Sequence, residues 1–112
     1  MKLQSSLKQK KRYLVFEVIS DRKFLVGEIE KEIFQALLAF LGELGVAQTS
    51  PMFLKEKFNQ PKQKFLLKVN NKYVKQTQAA LSLIKTIKNT KVIVKSLTTT
   101  GTINKAKTIL NK

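Results

Sequence analysis

The stretch RYLVFEVIS at residues 12–20 has the two-residue alternation of a β-strand. Leu14 and Phe16 point to one side of such a strand, and Val15 and Ile19 point to the other, so both faces are largely apolar. A strand that is apolar on both faces must be covered on both, and its aromatic and β-branched residues suit that position. We therefore predict that it lies in the middle of a sheet.

Two helices are predicted from a change of period. From Val26 to Leu44 the apolar residues recur at three- and four-residue spacing, and Gly45 is expected to end this helix. Asn70 and Asn71 are suited to cap a second helix, which the apolar spacing extends to Asn89.

The remaining segments complete a regular order of elements. Further strands are expected at residues 52–58, 62–70 and 91–97, and a short helix with Ile103, Ala106 and Leu110 on one face follows them. This order predicts an α+β, ferredoxin-like sandwich of the kind shared with RNA-recognition domains: a four-stranded antiparallel sheet (βαββαβ), two helices on one face and a short C-terminal helix. The first and third strands are central in that arrangement. Residues 12–112 are predicted to form one domain, and residues 1–11 are predicted to be a flexible basic arm.

The composition excludes several kinds of chemistry. With no Cys and no His, the sequence cannot form zinc fingers, thiol nucleophiles, Ser-His-Asp triads or haem sites, and we expect no cofactor. The longest apolar run is too short to cross a bilayer, and no signal-type block follows the N-terminal lysines. We expect a soluble, cytoplasmic protein without a membrane partner.

Charge is distributed very unevenly along the chain. The net charge is +15, all seven acidic residues lie within residues 1–56, and residues 57–112 carry 13 lysines without a carboxylate. Such a half-chain predicts a large polyanion as partner, and nucleic acid is the foremost candidate. Lysine enrichment by genome composition is the alternative for the 20 Lys against 2 Arg, but it does not explain the missing acids.

The candidate RNA-binding residues lie on the arm, on one side of the sheet and around the last helix. Lys64, Lys68, Lys91 and Lys95 should share a sheet face by alternation, and the hydroxyls and N–H groups before the last helix suit phosphate unless Thr102 is only an N-cap. The set is Lys8, Lys10, Lys11, Arg12, Lys62, Lys64, Lys68, Lys91, Lys95, Thr100, Gly101, Thr102, Lys105 and Lys107. Lysines of the second helix (Lys72, Lys75 and Lys85) are the alternative RNA surface. Base stacking is disfavoured because Phe65, the aromatic of the third strand, points inward.

The second half of the first helix is apolar nearly all round. One sheet cannot cover Leu37, Leu38, Phe40 and Leu41 together, so we predict that they bind a protein partner. The alternative is that the terminal helix folds back over them.

Catalysis by the polypeptide is not predicted. Glu28 and Glu32 lie one turn apart and are the one carboxylate pair that could hold a metal ion, but such pairs at a helix start are usually solvated. We assign no catalytic residue and no metal ligand. A metal-dependent nuclease remains the alternative of the enzyme class, and a ribosomal-type RNA-binding protein that of the binding class.

Four segments resemble the archaeal ribonuclease P protein component 2 family. They are KRYLVFEVIS, ALLAFLGELGVAQ, AALSLIKTIKNTKVIVKSL and TGTINKAK, which lie within residues 10–107. The family's closing Ser-Gly-Thr-Ile is here Thr100-Gly101-Thr102-Ile103, and the basic residue that normally follows is displaced by one position, to Lys105.

The resemblance implies a function that composition alone could not name. It implies a protein subunit of the ribonucleoprotein that removes 5′ leaders from precursor tRNA, in which the RNA is the catalyst. The expected partners are the catalytic domain of ribonuclease P RNA, precursor tRNA indirectly, and a barrel-shaped protein subunit of the same particle.

Overall fold

The computed structural model describes residues 10–112, and Lys8 with most of the predicted arm lies outside them. The strands are β1 (Lys11–Ser20), β2 (Met52–Phe53), β3 (Lys64–Asn70), β4 (Thr86–Ile87) and β5 (Thr90–Thr100). The helices are α1 (Val26–Thr49), α2 (Val74–Ser82) and α3 (Ile103–Leu110). The protein is thus of the α+β class, as predicted.

The strands form one antiparallel sheet in the order β2-β3-β1-β5-β4. β1 pairs with β3 on one side and with β5 on the other, so the prediction of a central first strand is confirmed. The prediction of four strands is wrong, because residues 10–112 form five.

The additional strand, β4, replaces the end of the predicted second helix. Lys88 and Asn89 adopt left-handed φ values of 51° and 63° and turn the chain into a two-residue hairpin between β4 and β5. Ile84 and Ile87 are buried as a helix would have buried them, but α2 itself ends at Ser82. The three-residue spacing of these two isoleucines is compatible with both structures.

Other boundaries also differ from the predicted ones. β2 has two residues instead of seven, since the charged Lys55–Lys57 form a 3₁₀ turn. α1 continues past Gly45 to Thr49, but it is broken at Gly42, where φ is 73° and ψ is 174°. Only glycine adopts that conformation without strain, so the break occurs there.

The main core lies between the sheet and the helices α1 and α2. Phe65 stacks between Phe16 and Phe53, with ring centroids 5.2 and 5.4 Å apart. Ile29 and Ile33 of α1 are fully buried in the same cluster. This side of the sheet carries no lysine on the central strands.

The buried side chain of Gln63 holds the segment before α1 against the start of β3. The side chain of Gln63 accepts a hydrogen bond from Phe24 N at 2.7 Å and donates to Phe24 O at 3.1 Å and to Gln60 O at 2.9 Å. Gln63 is only 5% exposed, so these bonds satisfy polar groups that water does not reach.

Candidate nucleic-acid interface

The second face of the sheet carries both α3 and the predicted lysines. Val15 and Leu66 point to this side and form a small cluster with Ala106 and Leu110 of α3. By strand alternation and register, Lys64 and Lys68 of β3 and Lys91 and Lys95 of β5 share the side of Leu66, as the sequence predicted. α3 covers the middle of that face, so the lysines lie around the helix rather than on an open sheet.

α3 is amphipathic, and its position on the sheet is helped by a bulge in β5. Val15 pairs with Thr98 while Phe16 pairs with Ser96, which leaves Leu97 without a partner in β1. Leu97 packs against the cluster beneath α3. The bulge therefore adds an apolar residue on the side where the terminal helix docks.

The C-terminal end of α3 is held by side chains of the β2–β3 connection and of the first residue of β3. Asn59 Nδ2 donates to Leu110 O at 2.8 Å, Lys62 Nζ to Asn111 O at 3.1 Å and Lys64 Nζ to Ile109 O at 3.3 Å. Cations and amide donors are favourable at a helix C-terminus because they satisfy its last carbonyls. Lys62 and Lys64 are therefore part of the fold, although each ammonium retains further donors for a phosphate.

The strand lysines have different neighbours. Glu17 lies between Lys64 and Lys95 in register, so a carboxylate partly offsets those two charges. Lys68 Nζ lies 5.7 Å from the centre of the Tyr13 ring, a cation–π distance. Lys91 precedes Val92, which pairs with Ser20 at the C-terminal end of β1. This part of the sheet face is not covered by α3, and Ile93 is 63% exposed.

At the other end of α3, Arg12 meets the hydroxyl-rich turn. The Arg12 guanidinium lies beside Gly101, 3.8 Å from where a Cβ on that glycine would be. Thr100 Oγ1 donates to Thr102 O at 2.7 Å, and Thr102 Oγ1 accepts from Lys105 N at 3.5 Å as the N-cap of α3. The structure thus brings Arg12 and Thr100–Thr102 together, and Thr102 makes the capping contact that was its alternative role.

One lysine that the sequence did not single out belongs to this surface. Lys57, at the end of the 3₁₀ turn, lines the same groove as Lys107 of α3, and hydrogen bonding to Lys57 and the repulsion of its charge lower the pKa of Lys107 below its ordinary value. No sequence signal could have found this pair, because it depends on where α3 docks.

The apolar part of α1 divides into core and surface. Leu37 is fully buried, so its predicted role in partner binding is wrong: its side chain packs against the sheet. Leu41 is partly buried against the same core, whereas Leu38 and Phe40 are 49% and 47% exposed. Leu44, beyond the break, is 72% exposed. The terminal helix lies on the opposite face of the sheet and does not cover them.

Next to Phe40 a cleft opens between α1 and the segment that follows α2. It has a volume of about 400 Å³ and is lined in part by Ala36, Leu83 and Ile84. The cleft extends the exposed apolar surface of α1 toward β4.

The acidic residues at the start of α1 have partners within the chain. Glu28 accepts from Leu25 N at 2.9 Å and pairs with Arg22 at 3.3 Å, so it caps the helix. Glu30 pairs with Lys55 at 3.1 Å. Within residues 10–112 no three of Asp, Glu, His and Cys come together as metal ligands would, and no helix is long and apolar enough to span a membrane.

Comparison with known proteins adds a family to this geometry. The sequence profile of the Rpp14/Pop5 family matches residues 12–111. Ribonuclease P protein component 2 of Thermococcus kodakarensis is 37% identical over 94% of this chain and 86% of its own length. The protein of the same name from Methanocaldococcus jannaschii is 30% identical over 94% of this chain and 75% of its own.

A solved structure has the same fold. A chain in the cryo-EM structure of yeast ribonuclease MRP superposes with a TM-score of 0.63, covering 86% of this chain and 77% of that one at 12% identity. At that identity the likeness concerns the fold alone.

Proposed function

Because this chain belongs to the Rpp14/Pop5 family, we propose that it is a protein subunit of ribonuclease P, the ribonucleoprotein that removes 5′ leaders from precursor tRNA. The match over residues 12–111, together with similarity to archaeal component 2 proteins over 94% of this chain, carries this proposal. As a tRNA-processing subunit it would act in the cytoplasm. Its strand order fits the ferredoxin-like arrangement, with β4 as an added edge strand.

In this proposal the RNA performs the chemistry and the protein supports the RNA. The lysines around α3 contact phosphates of the RNA's catalytic domain, and precursor tRNA is contacted indirectly. No residue of this chain acts as a catalytic acid, base or nucleophile, and Glu28 serves as a helix cap.

Reconstitution is the direct test. Adding this protein and its partner subunits to the cognate ribonuclease P RNA should increase leader removal from precursor tRNA over RNA alone, and omitting this protein should lose that gain. A protein that binds ribosomal RNA fragments but leaves leader removal unchanged would instead indicate a ribosomal-type protein.

The face that meets RNA can be tested by salt dependence. Each phosphate neutralised should contribute ~0.7–0.9 to the slope of log affinity against log salt. Lys68→Ala and Lys91→Ala should each weaken binding to unrelated RNAs and reduce the slope by about one unit or less. If Lys75→Ala on α2 and Lys72→Ala in the turn before it lower the slope instead, the RNA lies on the other side of the molecule.

We assign the barrel-shaped subunit of the particle to the exposed apolar surface of α1. Leu38, Phe40 and the adjacent cleft support this assignment, because a small domain rarely leaves such a patch in water without a partner. Leu38→Glu should abolish co-purification with that subunit while the free protein stays folded. Lys31→Gln makes the same change in net charge at an exposed position of the same helix outside the cleft, so it is the matched control and should co-purify normally.

A further inference from the structure

Two lysines from distant parts of the chain face each other across a surface groove. Lys57 follows β2 and Lys107 lies on α3; together with Asn59, Gln60 and Asn111 they line a groove of about 600 Å³. Hydrogen bonding to Lys57 and the repulsion of its charge lower the pKa of Lys107 below its ordinary value. Because the two like charges of this groove repel one another, an anion placed between them is attracted by both.

The fold, rather than the two side chains, holds these positions. The 3₁₀ turn is closed by Lys57 N donating to Leu54 O at 3.0 Å, and Leu54 packs against the cluster beneath α3. α3 is fixed by the buried Leu110 and by the bond from Asn59 to its carbonyl. Both backbones are therefore anchored with the lysines directed into one groove.

Within the described residues, neither lysine forms an ion pair. The ion pairs found in residues 10–112 join Arg22 to Glu28 and Lys55 to Glu30, and neither involves Lys57 or Lys107. Glu56 also lines the groove but forms no ion pair with either lysine. The contrast with Lys55 is informative, because that lysine is two residues away on the same turn and has a carboxylate at 3.1 Å.

We propose that Lys57 and Lys107 form a clamp for one phosphate group of the RNA backbone. A phosphodiester carries the negative charge that separates the two ammonium groups, and its two free oxygens accept a hydrogen bond from each. This inference rests on the proposed function, since RNA is the source of the phosphate, and it adds to that function a defined contact between two elements.

The first test is RNA affinity at several salt concentrations. Lys57→Ala and Lys107→Ala should each weaken binding to ribonuclease P RNA about fivefold, the upper range for an exposed ion pair, and lower the salt slope by about one unit. The double variant should lose less than the product of the two single effects, because both lysines hold the same phosphate. The matched controls are Lys55→Ala and Lys31→Ala, which remove the same charge elsewhere and should change affinity less than twofold.

The second test observes the lysine directly. NMR titration of the Lys107 side chain against pH should show its pKa rise toward the ordinary value when a short oligouridylate is added, because bound phosphate stabilises the ammonium. Lys57→Ala should raise the same pKa without RNA. Inorganic phosphate at equal phosphate concentration should produce a smaller rise than the oligonucleotide; an equal or larger rise would indicate a free-anion site and overturn the RNA assignment.

A charge reversal separates binding from folding. Lys57→Glu places a carboxylate opposite Lys107, so thermal stability should stay equal or increase while RNA affinity falls further than it does for Lys55→Glu. Clamp variants that bind RNA as well as the Lys55 controls would overturn the clamp and leave the proposed function intact. Failure of the unaltered protein to bind ribonuclease P RNA would overturn the function, and the oligouridylate titration would still report on the clamp.

Discussion

The two faces of the sheet use the same strands but are built differently. Toward α1 and α2, the strands contribute a continuous apolar layer centred on Phe16 and Phe65. Toward α3, apolar and lysine positions alternate, and the buried cluster has four members: Val15, Leu66, Ala106 and Leu110. The first face supplies most of the stability, while the second divides its area between a small core and a ring of cations. A short helix leaves the flanking lysines in water, where they can reach a polyanion.

The largest effect should follow from opening the aromatic stack on the first face. Phe65→Ala removes the ring between Phe16 and Phe53 and should lower the free energy of unfolding by about 3–5 kcal/mol in urea denaturation. Ile93→Ala, at an exposed position of the second face, is the control and should stay within about 0.5 kcal/mol. Equal losses at the two positions would contradict the difference between the faces.

A smaller and more local effect is expected beneath α3. Leu110→Ala should cost about 2–3 kcal/mol, because the side chain is buried against Val15 and Leu66. Hydrogen exchange should accelerate in α3 while the amides of β1 remain protected, since the first face still holds the sheet together. If β1 and α3 lose protection to the same extent, the two faces form a single cooperative unit.

The next largest loss of stability is expected when the buried hydrogen bond between Gln63 and Phe24 is removed. Gln63→Ala leaves Phe24 N without its acceptor at a site that water does not reach, at a cost of about 1–2 kcal/mol in the free energy of unfolding. Gln60→Ala removes a single bond to Phe24 O from an exposed side chain and should cost less than about 1 kcal/mol. A reversed order would mean that Gln63 does not carry the junction between α1 and β3.

The smallest effect concerns the anchoring of α3. Asn59→Ala removes the donor to Leu110 O and should lower stability by about 0.5–1.5 kcal/mol, with faster hydrogen exchange confined to the last turn of α3. Asn104→Ala, on an exposed position of the same helix, should leave exchange in that last turn unchanged. Loss of the whole helix on Asn59→Ala would show that the cap matters more than the apolar cluster.

Local pattern predicted much of this molecule. The alternation in residues 12–20 gave the central strand, and the same two-residue period placed Lys64, Lys68, Lys91 and Lys95 on one face, because alternation depends only on neighbouring residues. The amphipathic stripe of α3 was also readable, but the surface that it would cover was not. The docking site of α3 depends on Val15 and Leu66, which come from strands far away in sequence.

The errors have the same physical origin. Ile84 and Ile87 satisfy a helical spacing and a short strand equally, so β4 was decided by the hairpin at Lys88 and Asn89. α1 was expected to stop at Gly45, whereas the chain breaks at Gly42 and then resumes its helix. The burial of Leu37 depends on which side of α1 meets the sheet, and the pairing of Lys57 with Lys107 depends on tertiary docking alone.

The double pairing of β1 also has a consequence for biosynthesis. β1 leaves the ribosome first, β3 follows, and β5 is the last strand to emerge. At about 5–20 residues per second, the 69 residues between Ser20 and Thr90 impose a delay of about 3–14 s during which one edge of β1 has no partner. α1 and β3 are available early enough to protect the aromatic side, but Val15 and Leu66 stay uncovered until α3 is complete. The nascent chain is therefore most prone to association just before its last strand and helix are made.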